Sequence, residues 1–263
     1  MSRAIRMLLA ASAAGGLALS ALMTAGAASA TSNGPGTHGP GSRYLGPGAG
    51  SPAISRITAA STSTRTFAGY QTSVPAGSAT VATASFTVPT LSCTTTDRAI
   101  APSAAVPANN GKTVSAAYVV TGCVNGQAVY SPGLIINGKG VGRSTAPFAA
   151  GDVITLTTKV STNRTRVQVT DVTTGVTSKF LGAGARASGA SFGDVALGSS
   201  TGALLHVPDF GKLTFKNCFI DGKTLASWHP HAYQRVNSRG TVQIQTGGLW
   251  PAGTAFTTRY QHS

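Results

Sequence analysis

Short runs in which β-branched and apolar residues alternate with polar ones recur along most of this chain. After residue 30, no stretch repeats apolar positions at helical spacing. The clearest run is VITLTTKVSTNRTRVQVTDVTTGVTSKF, where Val, Ile and Leu alternate with Thr, Lys and Arg. It predicts three consecutive antiparallel strands over 153–161, 164–172 and 176–182, with one face in the core and the other in water. Asp171-Val172-Thr173-Thr174-Gly175 joins the last two, and Gly175 can take the positive φ that a tight hairpin needs. Further strands are predicted over 78–89, 113–120, 128–136, 211–220, 241–246 and 254–260. So many short strands without helices predict an all-β, antiparallel sandwich or barrel.

The start of the chain departs from this pattern. Arg3 and Arg6 precede apolar runs over 7–14 and 17–23, and Ala28-Ser29-Ala30 follows. A charged region, an apolar core and an A-x-A site predict a secretory signal peptide over 1–30 and an extracellular, soluble product. A transmembrane anchor fits less well, because Gly15-Gly16 and several Ser and Thr residues interrupt a run already short for a bilayer. Residues 31–56 are rich in Gly, Pro, Ser and Thr, too poor in apolar anchors to offset their chain entropy, and read as a flexible leader or propeptide. Residues 57–263 then form one β-sandwich domain, expected to be monomeric.

Charge and cysteine content sharpen the picture. Twenty Lys and Arg stand against six acidic residues, a formal net charge of +14. Without Arg3 and Arg6 the mature chain keeps +12, which would draw it to polyanions such as anionic wall polymers. The basic residues are scattered rather than run together, so the charge also fits a role in solubility alone, and no specific nucleic-acid binding is expected. There is no glutamate; the acids are Asp97, Asp152, Asp171, Asp194, Asp209 and Asp221. Cys93, Cys123 and Cys218 are an odd set for an oxidising compartment. Cys93 and Cys123 each follow a strand and enter turn-like sequence, which favours pairing them and leaves Cys218, between Phe215 and Phe219, buried. No Cys-x-x-Cys occurs and the histidines do not accompany the cysteines, so neither a metal nor another cofactor is expected.

Five short motifs occur in order: Phe67-Ala68-Gly69-Tyr70; Phe86-Thr87-Val88-Pro89 with Cys93 after it; Gly151-Asp152; Asp171 to Gly175; and Asp209-Phe210-Gly211-Lys212-Leu213-Thr214-Phe215. In this order the chain resembles the eqolisin family of glutamic peptidases, especially its bacterial secreted members. The resemblance spans roughly residues 67–215. It implies two antiparallel sheets packed as a concanavalin-like β-sandwich, with a substrate groove on one concave face. Phe67, Gly69, Tyr70 and Tyr130 are the groove candidates.

The resemblance also implies a glutamine and a glutamate in that groove, combining a carboxylate general base with an amide aimed at developing negative charge. Carried over residue by residue, the glutamine falls on Ala116 when aligned on the Cys and on Val120 when aligned on Thr-Gly. No Gln lies between Gln71 and Gln127. The glutamate falls on Gly193. A slip of one residue brings in Asp194 but sends its side chain to the opposite face of a strand. These substitutions point to a non-catalytic peptidase homologue that binds a peptide, a polysaccharide or an anionic surface. The alternative is an active acid endopeptidase or other hydrolase in which Asp194 serves as base and another group replaces the glutamine.

Other constellations carry less. Gly189 to Gly193 and Gly198 to Gly202 both fit G-x-S-x-G, but an elbow needs a strand before it and a helix after it. His229 and His231 would share a face in a strand, yet Pro230 between them predicts a loop. Trp228 and Tyr233, flanking them, could stack on a sugar ring or a peptide. Asp209-Phe210-Gly211 reads as a turn entering a strand.

Overall fold

The computed structural model describes residues 62–94, 96, 98–141, 148–199, 203–250 and 252–262. The expected signal peptide and leader lie outside them. The described residues form sixteen strands: β1 (Thr62–Thr64), β2 (Phe67–Ser73), β3 (Thr80–Thr87), β4 (Arg98–Ala108), β5 (Thr113–Val124), β6 (Gln127–Ile136), β7 (Lys139–Gly140) and β8 (Val153–Val160) come first. They are followed by β9 (Arg164–Asp171), β10 (Thr177–Ala183), β11 (Gly189–Ala196), β12 (Lys212–Ile220), β13 (Lys223–Thr224), β14 (His231–Val236), β15 (Val242–Thr246) and β16 (Phe256–Tyr260). A 3-10 turn spans Leu225–Trp228.

The alternating run builds the smaller layer, in the order β10-β9-β8-β3-β12. Ile154, Leu156, Thr158 and Val160 of β8 and Val167 and Val169 of β9 are fully buried, while the residues alternating with them face outward. The β9–β10 hairpin closes as its sequence requires. Gly175 takes φ 76°, and the Asp171 carboxylate accepts from the Thr173 and Thr174 amides and the Thr174 hydroxyl. The larger layer runs β12-β16-β15-β14-β2-β11-β4-β5-β6-β7. β12 belongs to both layers. Lys212–Phe215 pair with β16, Lys216 onward pair with β3, and the register shifts between Lys216 and Phe219, where Asn217 takes φ 52°. Such a bulge bends a strand and lets it change sheets.

β8 and β9 pack across β4, β5 and β6, and the core lies between the layers. At its centre Phe215 stacks on Phe256 at 4.8 Å, Tyr70 meets Phe256 edge-on at 5.0 Å, and Phe86 tilts against Phe215 at 5.7 Å. One polar residue crosses this core. The buried Thr158 hydroxyl of β8 accepts from the Ala117 amide at 2.9 Å and donates to the Ala104 carbonyl at 2.8 Å, tying the small layer to β4 and β5. Cys93 and Cys123 are disulfide-bonded. Cys218 is a buried free thiol whose pKa is pushed well above the usual range by desolvation.

The nine runs read from the pattern all form strands. β4, β11 and β14 do not carry that pattern. β4 and β11 are buried on both faces, so alternation disappears, and β4 contains Pro102 and Pro107. The β4–β5 register passes from Ile100–Thr121 to Ser103–Tyr118, skipping Ala101 and Pro102, the latter having no amide to give. The loop expected across Trp228 to Tyr233 is corrected in part. His229 adopts a left-handed conformation (φ 48°) after the 3-10 turn, and from His231 onward the chain is a strand.

Candidate functional site

The large sheet has a second face, pointing away from the inter-layer core, and there lie Phe67, Gly69, Ala116, Val120 and Gly193 among the residues singled out for chemistry. Register fixes three rows across it. The middle row runs Tyr233, Gly69, Gly193, Ser103, Tyr118, Gly133 across β14, β2, β11, β4, β5 and β6. One flanking row runs His231, Gln71, Ser191, Ala105, Ala116, Ile135. The other includes Phe67, Val195 and Ala101, with Val120 opposite Ser131. Ala116 and Val120 therefore lie on the same face as Gly193, two strands away and one row to either side. The sheet brings together the positions that the resemblance gave to the glutamine and the glutamate.

What occupies the face is not acid–base chemistry. Phe67, Ala101, Ala105, Val114, Ala116, Tyr118, Val120, Ile135 and Val195 form a second apolar cluster separate from the main core. Val120 is 6% exposed and Ala116 is inaccessible. Tyr118 lies across Gly133, where a Cβ would collide with its ring. Gly69 and Gly193 face each other at positive φ, 146° and 153°, and a Cβ at Gly193 would collide with the Ala68 carbonyl oxygen. Ser103 donates to the Gly193 carbonyl at 3.0 Å. The position assigned to the glutamate is thus a backbone-to-backbone contact, with no room for a side chain.

Asp194 points the other way. It is inaccessible, opposite Ala68 and Pro102, and both carboxylate oxygens lack hydrogen-bond partners among the described residues. Burial pushes its pKa up to about 7, opposed by the Thr258 hydroxyl beside it and by the Arg235 charge. Arg235 is 2% exposed. Burial lowers its pKa to about 10 against the pull of Asp194, and only its Nη2 has a described partner, the Leu205 carbonyl at 3.0 Å. Asp194 is held as a buried acid and not as an accessible base.

The remaining candidates separate. Phe67 and Gly69 lie on the outer face, Phe67 edge-on to Tyr233 at 6.0 Å. Tyr70, the next residue, belongs to the inter-layer core, where its hydroxyl donates to the Gly247 carbonyl at 2.9 Å and burial raises its pKa to about 12. Tyr130 packs against the same core and donates to the Pro89 carbonyl at 2.8 Å. Ser191 of the first G-x-S-x-G is a buried mid-strand residue between Gln71 and Ala105, not an elbow. Most of the second G-x-S-x-G lies outside the described residues. Trp228 is partly buried, its indole donating to the Ile220 carbonyl at 3.2 Å. Ser103 and Tyr118 were not legible as site residues, because their juxtaposition depends on the register of β4, a strand the sequence pattern conceals.

The sequence matches no protein-family model and no curated protein. Solved structures do match. Scytalido-glutamic peptidase with a transition state analog inhibitor superposes with a TM-score of 0.59 at 14% identity, covering 75% of this chain and 98% of that one. SCP-B, a member of the eqolisin family in complex with the tripeptide Ala-Ile-His, gives 0.56 at 14% identity over 75% and 98%. Aspergilloglutamic peptidase from Aspergillus niger gives 0.53 at 18% identity over 62% and 99%. At these identities the likeness is one of fold: the chain is a β-sandwich of the kind seen in eqolisin-type glutamic peptidases.

Proposed function

We propose that this chain is a secreted, eqolisin-fold binding protein that does not cleave peptide bonds. The observation that carries the reading is Gly193. The place the resemblance gives to the glutamate is a positive-φ glycine pressed against the Ala68 carbonyl, in a chain with no glutamate. Alanine and valine at 116 and 120 supply no donor for an oxyanion. The alternative with Asp194 as base is disfavoured by burial, since a general base must reach the proton it abstracts. Export is supported by the leader sequence and by the disulfide.

Phe67, Tyr118 and Val120 are nearly inaccessible, so a peptide or saccharide would lie along the rim, where Gln71 and Tyr233 are half-buried and His231 is exposed. A digestion assay with casein and short peptides, from pH 2 to pH 8, tests the reading. No cleavage is expected at any pH. Cleavage by the purified chain would overturn it, and its loss in Asp194→Asn would then assign the base.

A further inference from the structure

The outer face of the small sheet holds a feature the fold does not need. An open cavity of about 390 Å³ is lined by Lys159, Ser161, Arg164, Arg166, Lys179 and Leu181. Its four cations come from three adjacent strands. Lys159 of β8 stands directly opposite Arg166 of β9; Arg166 is opposite Leu181 of β10; and Lys179 is opposite Gln168, one outward position along from Arg166. Arg164 lies two residues before Arg166 and so shares its face. Like charges in direct cross-strand register are destabilising, and here nothing described offsets them. Asp152, Asp171, Asp209 and Asp221 each accept from a backbone amide, and Asp194 is in the core. Asp221, bonded to Val81 opposite Lys159, lies two strands away. Arg166 is half-buried, and its Nε is shielded from solvent without a hydrogen-bond partner among the described residues. A half-buried guanidinium lining an open cationic cavity is half of an ion-binding site.

We propose that this cavity binds a phosphate-bearing polyol or sugar polymer. A tetrahedral phosphate presents oxygens in several directions and suits cations converging from three strands, whereas a carboxylate offers two coplanar ones. The cavity exceeds one anion and falls within the size range of small-ligand sites, leaving room for a repeat unit against Leu181 and Ser161. No aromatic ring lines it, so it lacks the stacking platform that single-stranded nucleic acid uses. The site is rigid. The β8–β9 turn is closed by Ser161, whose hydroxyl donates to the Arg164 carbonyl at 2.8 Å, and the Ala185 amide after β10 donates to the Ser161 carbonyl at 2.9 Å. This proposal does not rest on the reading of the large sheet and holds whether or not that sheet is catalytic.

The test is binding of the full chain to immobilised poly(glycerol phosphate), with polyglutamate and a single-stranded oligodeoxynucleotide of equal charge as competitors. Poly(glycerol phosphate) is expected to compete best. Arg166→Gln should weaken binding roughly ten-fold, the worth of one charge-assisted contact. The quadruple variant K159Q/R164Q/R166Q/K179Q should abolish it. K112Q/K139Q/K212Q/R239Q removes the same charge from exposed positions elsewhere and should keep most of it. Equal loss in the two quadruple variants would overturn the proposal in favour of diffuse surface attraction, and preference for polyglutamate or the oligonucleotide would overturn the ligand class. Surface Gln variants preserve the fold, which thermal melts verify.

Discussion

Asp194 is the residue whose chemistry and position are most at odds. A carboxyl group in an apolar core favours its neutral form, and desolvation outweighs the help from Thr258 and Arg235, leaving a pKa of about 7 against an ordinary value near 4. The folded state therefore binds this proton more tightly than the unfolded chain does. Its contribution to stability is fully present below about pH 4 and is lost as pH rises through 7. A gap of about three pKa units corresponds to up to roughly 4 kcal/mol. Asp171 works in the opposite sense. Burial pushes it up, but the Thr174 and Thr173 hydrogen bonds outweigh that and hold it below its usual range, so its contribution is lost only as pH falls below that range. Thermal melts from pH 3 to pH 9 should show a midpoint that falls between pH 4 and pH 8. Asp194→Asn, which cannot ionise, should flatten that decline while keeping the loss at the acid end. An unchanged slope in the variant would place the titration elsewhere.

At the scale of elements, legibility followed exposure. β8 and β9 alternate because one face meets water, and the alternation marks them directly; β10, at the sheet edge, is exposed or half-buried throughout and lacks the core face its pattern predicts. β4 and β11 are buried on both sides, and what their sequences display is the small residues, prolines and glycines that close packing of backbones demands. The outer-face rows depend on those two strands, so Ser103, Tyr118 and the Gly69–Gly193 contact were hidden even though the motif containing Phe67 and Gly69 was not. Thr158 is a case within a legible strand: it occupies an inward position where an apolar residue was expected, because its hydroxyl completes β4 and β5 across the core. Thr158→Val keeps the shape but removes the two hydrogen bonds that the hydroxyl makes to the Ala117 amide and the Ala104 carbonyl. The expected loss is about 1–3 kcal/mol in denaturant unfolding, from two buried hydrogen bonds. Thr157→Val, at the neighbouring outward position, should cost under about 0.5 kcal/mol. Equal effects would mean that the hydroxyl bridge contributes nothing beyond side-chain volume.

For the molecule as a whole, the sequence showed the excess of positive charge but not its arrangement. Lys159, Arg164, Arg166 and Lys179 are scattered over twenty-one positions, and only the β8–β9–β10 meander folds them around one cavity. With no glutamate, and with the described aspartates committed to backbone amides or buried, the cations face one another across solvent. Self-repulsion of this kind disfavours the compact state and is screened by salt, the Debye length shrinking from about 30 Å at 0.01 M to about 8 Å at 0.15 M. The melting temperature should therefore rise over that interval of sodium chloride. The rise should be smaller in K159Q/R164Q/R166Q/K179Q than in K112Q/K139Q/K212Q/R239Q, because the first set removes a like-charged pair held in direct register and the second removes charges that lie apart. Both variants lose the same net charge, so a difference between them reports how the cations are placed and not how many there are. Equal salt dependence in the two would show that the cavity charges are already relaxed by solvent.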